Sequence, residues 1–238
     1  MAQFLPQEIS MQTFSPNHYF DLATFAHAKL FDGCEYVWQA LQAIDRYLKN
    51  YPWPNKHPVA FDGAYLIHPE LIVIGEGTVI EPGAYIKGPC IIGKNCQIRH
   101  GAYIRGEVIV GDKCVIGHTT EIKHSIMLNN ANAAHFAYLG DTIVGSHVNL
   151  GAGVKCANLR LDNQPIVIKT QEEKIATGMR KFGAIIGDYV EVGCNSVLNP
   201  GTILGKKVLA YPCLNFGGVI PEDHLVKPTS SITTQKKS

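Results

Sequence analysis

The sequence predicts an all-β protein whose main part is a parallel β-helix, preceded by a segment with one helix. The first indication is a run of aliphatic residues six positions apart, which returns farther along the chain. The second is that mostly small or β-branched residues lie two positions before them, with glycine often following. A fixed hexapeptide period is typical of a parallel β-helix. The aliphatic positions are Ile74, Ile80, Ile86, Ile92, Ile98, Ile104, Val110, Ile116, Ile122 and Leu128, and then Ile186, Val192, Leu198 and Leu204.

Each hexapeptide supplies one strand and one corner, so three hexapeptides form one triangular coil. Outside this repeat, Val37, Leu41, Ile44 and Leu48 have helical spacing, and prolines end the run. We expect this amphipathic helix to pack on the β-helix or on a neighbouring subunit. The predicted parts are an N-terminal segment (1–60), the β-helix (61–222) with a long loop projecting from it at about 157–183, and a C-terminal tail (223–238).

Composition and charge narrow the class of protein. Of the 238 residues, 46% are hydrophobic and 17% are charged, as in globular proteins. The net charge of +1 gives no reason to expect nucleic acid or an anionic membrane as a partner. The chain has no run of 18 apolar residues and no signal-peptide pattern at its N-terminus, so we expect a cytoplasmic protein. Its seven cysteines include no CxxC pair, and an odd number argues against a disulfide framework.

Residues 18 positions apart should stack on one face of the prism, at the spacing of adjacent strands, about 4.8 Å. Lys87, Arg105 and Lys123 form such a column. Like charges this close repel one another, so the column indicates that an anion binds between some of its members. For Lys87 we favour an ordinary solvated position.

A second column contains histidines. His100 and His118 should stack, and His124 lies one hexapeptide farther on. Three histidines can bind zinc with an open fourth position, and together with "YIRGEVIVGD" they resemble the γ-class carbonic anhydrases. That family separates two of its histidines by five positions, whereas His118 and His124 are six apart. Exposed corner histidines are the favoured interpretation.

A more specific likeness lies in the motifs "EIKHS", "AAHFAYLGD", "HVNLGAG", "CANLR" and "RKFGAIIGDYVEVG". The chain resembles the acetyltransferase domain of bifunctional N-acetylglucosamine-1-phosphate uridyltransferase/glucosamine-1-phosphate acetyltransferase, in its archaeal form. The family spacing is kept from Arg105 to Asn158, and general likeness extends over about residues 64–220. The resemblance implies a left-handed β-helix, a homotrimer, and acetyl-CoA as co-substrate, with no metal required for acetyl transfer.

The resemblance also implies a set of site residues. His135 would be the general base that accepts a proton from the sugar amine, for which an imidazole is suited at neutral pH. The other implied residues are Arg105 and Lys123 for the sugar phosphate, Tyr138 and Asn149 for the sugar, Asn158 where sugar and acetyl group meet, and Ala152 and Cys194 for coenzyme A.

Some positions depart from the family pattern. Leu159 and Gln164 stand where the bacterial enzymes have a tyrosine and a lysine. Lys169, Arg180 or Lys181 could supply the missing charge, and spacing does not choose among them. The chain contains no GxGTRL-type loop of a nucleotidyltransferase, so we do not expect it to make a nucleotide sugar.

Three functions are therefore in competition. The first is acetyl-CoA-dependent N-acetylation of an amino-sugar phosphate, with glucosamine 1-phosphate as the expected acceptor. The second is a non-catalytic trimeric scaffold or partner of a separate nucleotidyltransferase, and the third is the metal-dependent hydratase. In an unbroken prism, Lys123 and His135 would lie on different faces. A shortened hexapeptide after "AAHFAYLGD", or clefts between the subunits of a trimer, could bring them together.

Overall fold

The computed structural model describes residues 14–55, 61–170 and 172–229. Short strands stack into three parallel eight-stranded sheets, named A, B and C, and each sheet forms one face of a triangular prism. In every coil the chain passes from sheet A to sheet B and then to sheet C. The predicted fold class, an all-β left-handed parallel β-helix with hexapeptide repeats and an N-terminal helical segment, is confirmed.

The strands are short because a corner follows every few residues. Sheet A contains β1 (Tyr65–Ile67), β4 (Tyr85–Lys87), β7 (Tyr103–Ile104), β10 (Glu121–Lys123), β13 (Tyr138–Gly140), β16 (Lys155–Cys156), β21 (Val197–Leu198) and β24 (Asn215–Phe216). Sheet B contains β2 (Ile72–Ile74), β5 (Cys90–Ile92), β8 (Val108–Val110), β11 (Ser125–Met127), β14 (Ile143–Val144), β19 (Ala184–Ile186), β22 (Thr202–Leu204) and β25 (Val219–Ile220). Sheet C contains β3 (Val79–Ile80), β6 (Gln97–Ile98), β9 (Val115–His118), β12 (Asn132–His135), β15 (Asn149–Leu150), β20 (Glu191–Val192), β23 (Leu209–Ala210) and β26 (Leu225–Val226).

Inward-facing side chains of the three sheets form one core along the prism. Every aliphatic position of the six-residue pattern lies in or against this core except Leu128. Met127 takes the core position instead, paired in register with Val110, and Leu128 belongs to a cluster outside the prism. The prediction for Leu128 is wrong because the turn between β10 and β11 has one residue fewer than the turn between β7 and β8, which shifts the phase.

Sheet B is buried on both faces. Its outward residues form a second apolar cluster with the N-terminal segment and the 157–183 segment. Strands buried on both faces carry consecutive apolar residues, which explains stretches such as "CIIG", "VIVG" and "AIIG". The outward column of sheet B consists of Val73, Ile91, Ile109, Ile126, Ile143, Ile185, Ile203 and Val219.

The N-terminal segment contains α1 (Pro16–Tyr19), a 3-10 helix (Ala28–Phe31) and α2 (Gln39–Lys49), and a further 3-10 helix (Pro69–Leu71) lies in the first coil. The predicted amphipathic helix is α2, whose Leu41, Ile44 and Leu48 are buried against the outer side of the prism. Val37 is also buried but lies before the helix, which begins at Gln39. None of the helices in the three described ranges is long and apolar enough to cross a lipid bilayer.

Asp188 ties this N-terminal segment to the β-helix. The carboxylate is 1% exposed and accepts backbone hydrogen bonds from Asp21 at 2.6 Å and from Ser146 at 2.7 Å. Burial raises the pKa of Asp188, although these two hydrogen bonds oppose the effect. The residue is a structural carboxylate at the corner between sheets B and C.

The segment between β16 and β19 does not project from the coils. It contains an antiparallel hairpin of β17 (Val167–Lys169) and β18 (Lys174–Ala176). Ile166 and Ile168 are buried beside the outer face of sheet B, and Gln42 of α2 donates a hydrogen bond to the Thr177 carbonyl oxygen at 3.3 Å. The expectation of a projecting loop is wrong because alternate apolar residues hold the hairpin on the prism.

The last strand, β26, pairs with β23 and extends four residues past the predicted end of the β-helix at 222. The start of the predicted tail (223–238) is therefore part of the last coil. Predictions for residues 1–13, 56–60 and 230–238 lie outside the described residues. The division of the chain at residue 60 stays a prediction.

Candidate active site

Two corners of the prism carry the residues that the sequence singles out. At the C–A corner the chain passes from sheet C to sheet A. At the A–B corner it passes from sheet A to sheet B. His135, Ala152 and Cys194 lie on the C–A corner, and Lys123 and Asn158 lie at the A–B corner.

A continuous backbone ladder aligns the C–A corner. The carbonyl oxygen of His135 accepts the amide of Gly153 at 3.0 Å, and that of Ala152 accepts the amide of Asn195 at 2.8 Å. His135, Ala152 and Cys194 therefore occupy equivalent positions in successive coils. The side chains of His135 and Cys194 are exposed. Asn149 lies close by on the outer side of sheet C, where β15 pairs with β12.

At the A–B corner, each of the two predicted phosphate-binding cations has a carboxylate partner. The Arg105 guanidinium donates to Glu121 at 2.7 Å, and both side chains are partly exposed. The Lys123 ammonium donates to Asp141 at 2.9 Å in a much more buried contact. Two of the three cations of the predicted column, Arg105 and Lys123, are thus paired with carboxylates within the protein.

Asp141 is the site residue that sequence reasoning missed. It is 5% exposed, and His124 and Asn158 also hydrogen-bond to its carboxylate. Asp141 does lie 18 positions after Lys123, but the coil between them is one residue short, so Gly140 is in register with Lys123 and Asp141 lies beside His124 instead.

Tyr138 completes this group. It lies on sheet A between Glu121 and Lys155 in register. Burial raises the pKa of the Tyr138 hydroxyl, and the charges of Glu121 and Asp141 add to the effect. The phenol is therefore protonated at neutral pH and can donate a hydrogen bond.

Gly140 leaves the space in which Tyr138 and Asn158 approach each other. A Cβ atom on Gly140 would lie 2.7 Å from Asn158 Nδ2 and 2.7 Å from the Tyr138 hydroxyl oxygen. Any larger residue would displace both side chains.

The three histidines of the metal-site interpretation do not come together. His100 and His118 stack on the C–A corner with ring centroids 5.7 Å apart. His124 lies at the A–B corner and bonds to Asp141 through Nδ1 at 2.9 Å. Among the described residues, no group of three histidine, cysteine or acidic side chains is arranged to hold a metal ion.

His135 and Lys123 lie at different corners of one chain. The shortened hexapeptide does not unite them, because its turn follows β13 at the A–B corner and leaves His135 in place.

Of the three basic residues considered for the missing charge, Lys181 is the one held beside the site. It forms a β-bridge with Leu159, and the backbone amide of Phe182 donates to the backbone carbonyl oxygen of Asn158 at 2.9 Å.

The chain is similar in sequence to known bifunctional proteins. The bifunctional protein GlmU of Methanococcus aeolicus is 36% identical over 169 residues, which cover 71% of this chain and 40% of that protein. The bifunctional sugar-1-phosphate nucleotidylyltransferase/acetyltransferase of Sulfurisphaera tokodaii is 36% identical over 101 residues, covering 42% and 24%. The chain thus spans less than half the length of these relatives. The resemblance stated from the sequence motifs is confirmed.

Among solved structures, the UDP-N-acetylglucosamine acyltransferase from Campylobacter jejuni has a TM-score of 0.46 and 16% identity, with 67% of this chain and 68% of that chain covered. Residues 86–219, more than half of the chain, match the family described as the GMPPB C-terminal domain. That range includes all the candidate site residues at the two corners. The chain belongs to the GMPPB C-terminal domain family.

Proposed function

We propose that the protein transfers an acetyl group from acetyl-CoA to the amine of an amino-sugar phosphate, with glucosamine 1-phosphate as the expected acceptor. The main support is the way the implied residues separate into two groups. Lys123 and Asn158, far apart in sequence, meet at Asp141 on one corner. His135 and Ala152 stack in consecutive coils on the other. The first group suits a phosphorylated sugar, and the second suits a base beside an acyl donor.

In this proposal His135 accepts a proton from the acceptor amine as the nitrogen attacks the thioester carbonyl carbon. The new N–C bond forms, the C–S bond breaks, and the coenzyme leaves as a thiolate that is then protonated. A positioned base of this kind contributes about 10² to 10⁴ in rate. The exposed position of His135 leaves its ring accessible to an acceptor.

Coenzyme A would lie along the C–A corner. Ala152 is small, and Gly151 and Gly153 flank it in the sequence, so the backbone of this coil is open to close approach. Cys194 lies one coil farther along the same corner. A thioester bound there would be next to His135 in the neighbouring coil.

The acceptor would bind at the A–B corner. Arginine and lysine are suited to phosphate, the first through its planar fork and the second as a point charge. Tyr138 and Asn158 would contact the sugar, and Asn149 would approach it from sheet C. Lys181 would supply the additional positive charge beside Asn158.

A homotrimer is expected because the two groups lie at different corners of one chain. A cleft between two copies can pair the C–A corner of one with the A–B corner of the next. We therefore expect light scattering to show three times the 26.0 kDa of one chain. A monomer that retained acetyltransferase activity would contradict this arrangement.

Gly140 offers a local test of the acceptor site. We expect Gly140→Ala to raise the KM for the acceptor by roughly threefold to tenfold, since spoiling a polar contact costs about 1 kcal/mol. The KM for acetyl-CoA should be unchanged, because the coenzyme residues lie on the other corner. Steady-state kinetics with each substrate varied in turn measures both values.

The central experiment is a thiol-release assay with acetyl-CoA against a panel of amino sugars, phosphorylated and not. We expect release with glucosamine 1-phosphate and little with glucosamine. Two observations favour the alternative, a non-catalytic scaffold: both cations already have carboxylate partners, and Leu159 and Gln164 depart from the bacterial pattern. Absence of release with the whole panel, from a trimeric folded protein, would favour the scaffold.

A further inference from the structure

Asp141 is a buried charged group to which none of the proposed steps assigns a role. It occupies the turn between β13 and β14, and both oxygens of its carboxylate are engaged. Oδ1 accepts from His124 Nδ1 at 2.9 Å, and Oδ2 accepts from Lys123 Nζ at 2.9 Å and from Asn158 Nδ2. One carboxylate thus joins side chains from two other coils.

The carboxylate is ionised at neutral pH. Burial raises the pKa of Asp141, but hydrogen bonds from His124, Asn158 and Lys123 outweigh burial and hold the pKa below its usual value. A buried charge is costly unless it is paired and hydrogen-bonded. The three donors meet this requirement, so the position of each donor is coupled to Asp141.

This contact also fixes which way the Asn158 amide is turned. An ionised carboxylate can only accept hydrogen bonds, so the atom of Asn158 that faces it is the NH₂ group. The carbonyl oxygen of that amide is then left to accept a hydrogen bond from another group. The amine and hydroxyl groups of an amino sugar are donors of the matching kind.

We propose that Asp141 is a positioning residue of the acceptor site. It holds the Lys123 ammonium in place for the phosphate and keeps the side-chain oxygen of Asn158, Oδ1, available to an N–H or O–H of the acceptor. His124 secures the second carboxylate oxygen and so keeps Asp141 from rotating. This inference rests on the proposed function, and it adds the requirement that the acceptor carry a donor group beside its phosphate.

The test compares two buried carboxylates. Asp141→Asn keeps the size of the side chain but removes its charge, so Lys123 and Asn158 each lose a fixed partner. We expect the KM for glucosamine 1-phosphate to rise about tenfold, because each freed side chain must be immobilised again on binding. The KM for acetyl-CoA should stay within about twofold of the wild type, because Ala152 and Cys194 lie on the other corner.

Asp188→Asn is the matched control, since Asp188 is buried but bonds only to backbone amides at the corner between sheets B and C. It should lower the melting temperature and leave both KM values unchanged. An acceptor KM that is unchanged or lower in Asp141→Asn would overturn the proposal, and so would an equal rise of both KM values.

His124→Gln is a milder variant in case Asp141→Asn does not fold. It should raise the KM for the acceptor by roughly twofold to threefold and leave the KM for acetyl-CoA unchanged. An unchanged acceptor KM would count against the proposal.

Calorimetric titration with glucosamine 1-phosphate alone separates the positioning role of Asp141 from the proposed acetyltransferase function. If the wild-type protein binds glucosamine 1-phosphate but does not acetylate it, the proposed function is wrong. Weaker binding by Asp141→Asn would still support the positioning role in that case. A wild type that does not bind it overturns the positioning role.

Discussion

Replacing His135 by alanine should reduce turnover with acetyl-CoA by roughly 10²- to 10⁴-fold, the usual worth of a positioned base. The expected trimer and the melting temperature should be nearly unaffected. The His135 side chain is exposed, and its main contribution to the fold is a backbone carbonyl that accepts the amide of Gly153. Alanine supplies the same carbonyl. Turnover measured alongside thermal unfolding distinguishes loss of catalysis from loss of structure.

His135→Asn gives a second measurement of the same residue. An amide is polar but does not accept a proton near neutrality, so turnover in this variant should fall about as far as in His135→Ala.

His100→Ala is the matched control for His135, since His100 is an exposed histidine on the same corner two coils away. It should have wild-type turnover. Normal folding with near wild-type acetylation in either His135 variant would make His135 a structural corner residue. An acceptor amine that arrives unprotonated would then react through proximity alone.

Lys123→Ala should raise the KM for glucosamine 1-phosphate by a factor that corresponds to about 1.5–3 kcal/mol, the value of a charge-assisted hydrogen bond. The KM for unphosphorylated glucosamine should change far less. The substitution also takes a cation from the buried Asp141 and will lower stability. Comparing two acceptors within one variant cancels that loss.

Lys87→Ala is the control for Lys123, because Lys87 is an exposed member of the same column two coils away. It should affect neither acceptor. Equal losses on glucosamine and its 1-phosphate in Lys123→Ala would exclude the phosphate as the partner of this lysine.

Much of the fold could be predicted because the hexapeptide period is a local property of the chain. Each aliphatic residue of the repeat indicates that its own position is buried, and a fixed hexapeptide period is typical of one fold, the parallel β-helix. The same reasoning fails at Leu128, where one residue fewer at a corner exchanges inward and outward positions. Consecutive apolar residues such as "AIIG" also indicate that the outer face of sheet B is buried, which the hexapeptide period alone does not show.

The candidate site was predictable in part. The column of Arg105 and Lys123 follows from spacing, and the role proposed for His135 follows from the resemblance. Asp141 lies 18 positions after Lys123, but the shortened coil puts Gly140 in register with that lysine, so spacing alone does not place Asp141. A carboxylate near a predicted phosphate site also looks unfavourable until its three donors are seen. Its burial and hydrogen bonds depend on turns whose lengths vary between coils.

The periods in the sequence were thus sufficient for the β-helix, the helix α2 and the column of Arg105 and Lys123, because each of these follows from a regular spacing of residues. The convergence of Lys123, His124 and Asn158 on Asp141 depended on three-dimensional packing. So did the return of the hairpin segment that brings Lys181 beside Leu159. These contacts join residues from different coils, and a change of one residue in a turn decides which side chains meet.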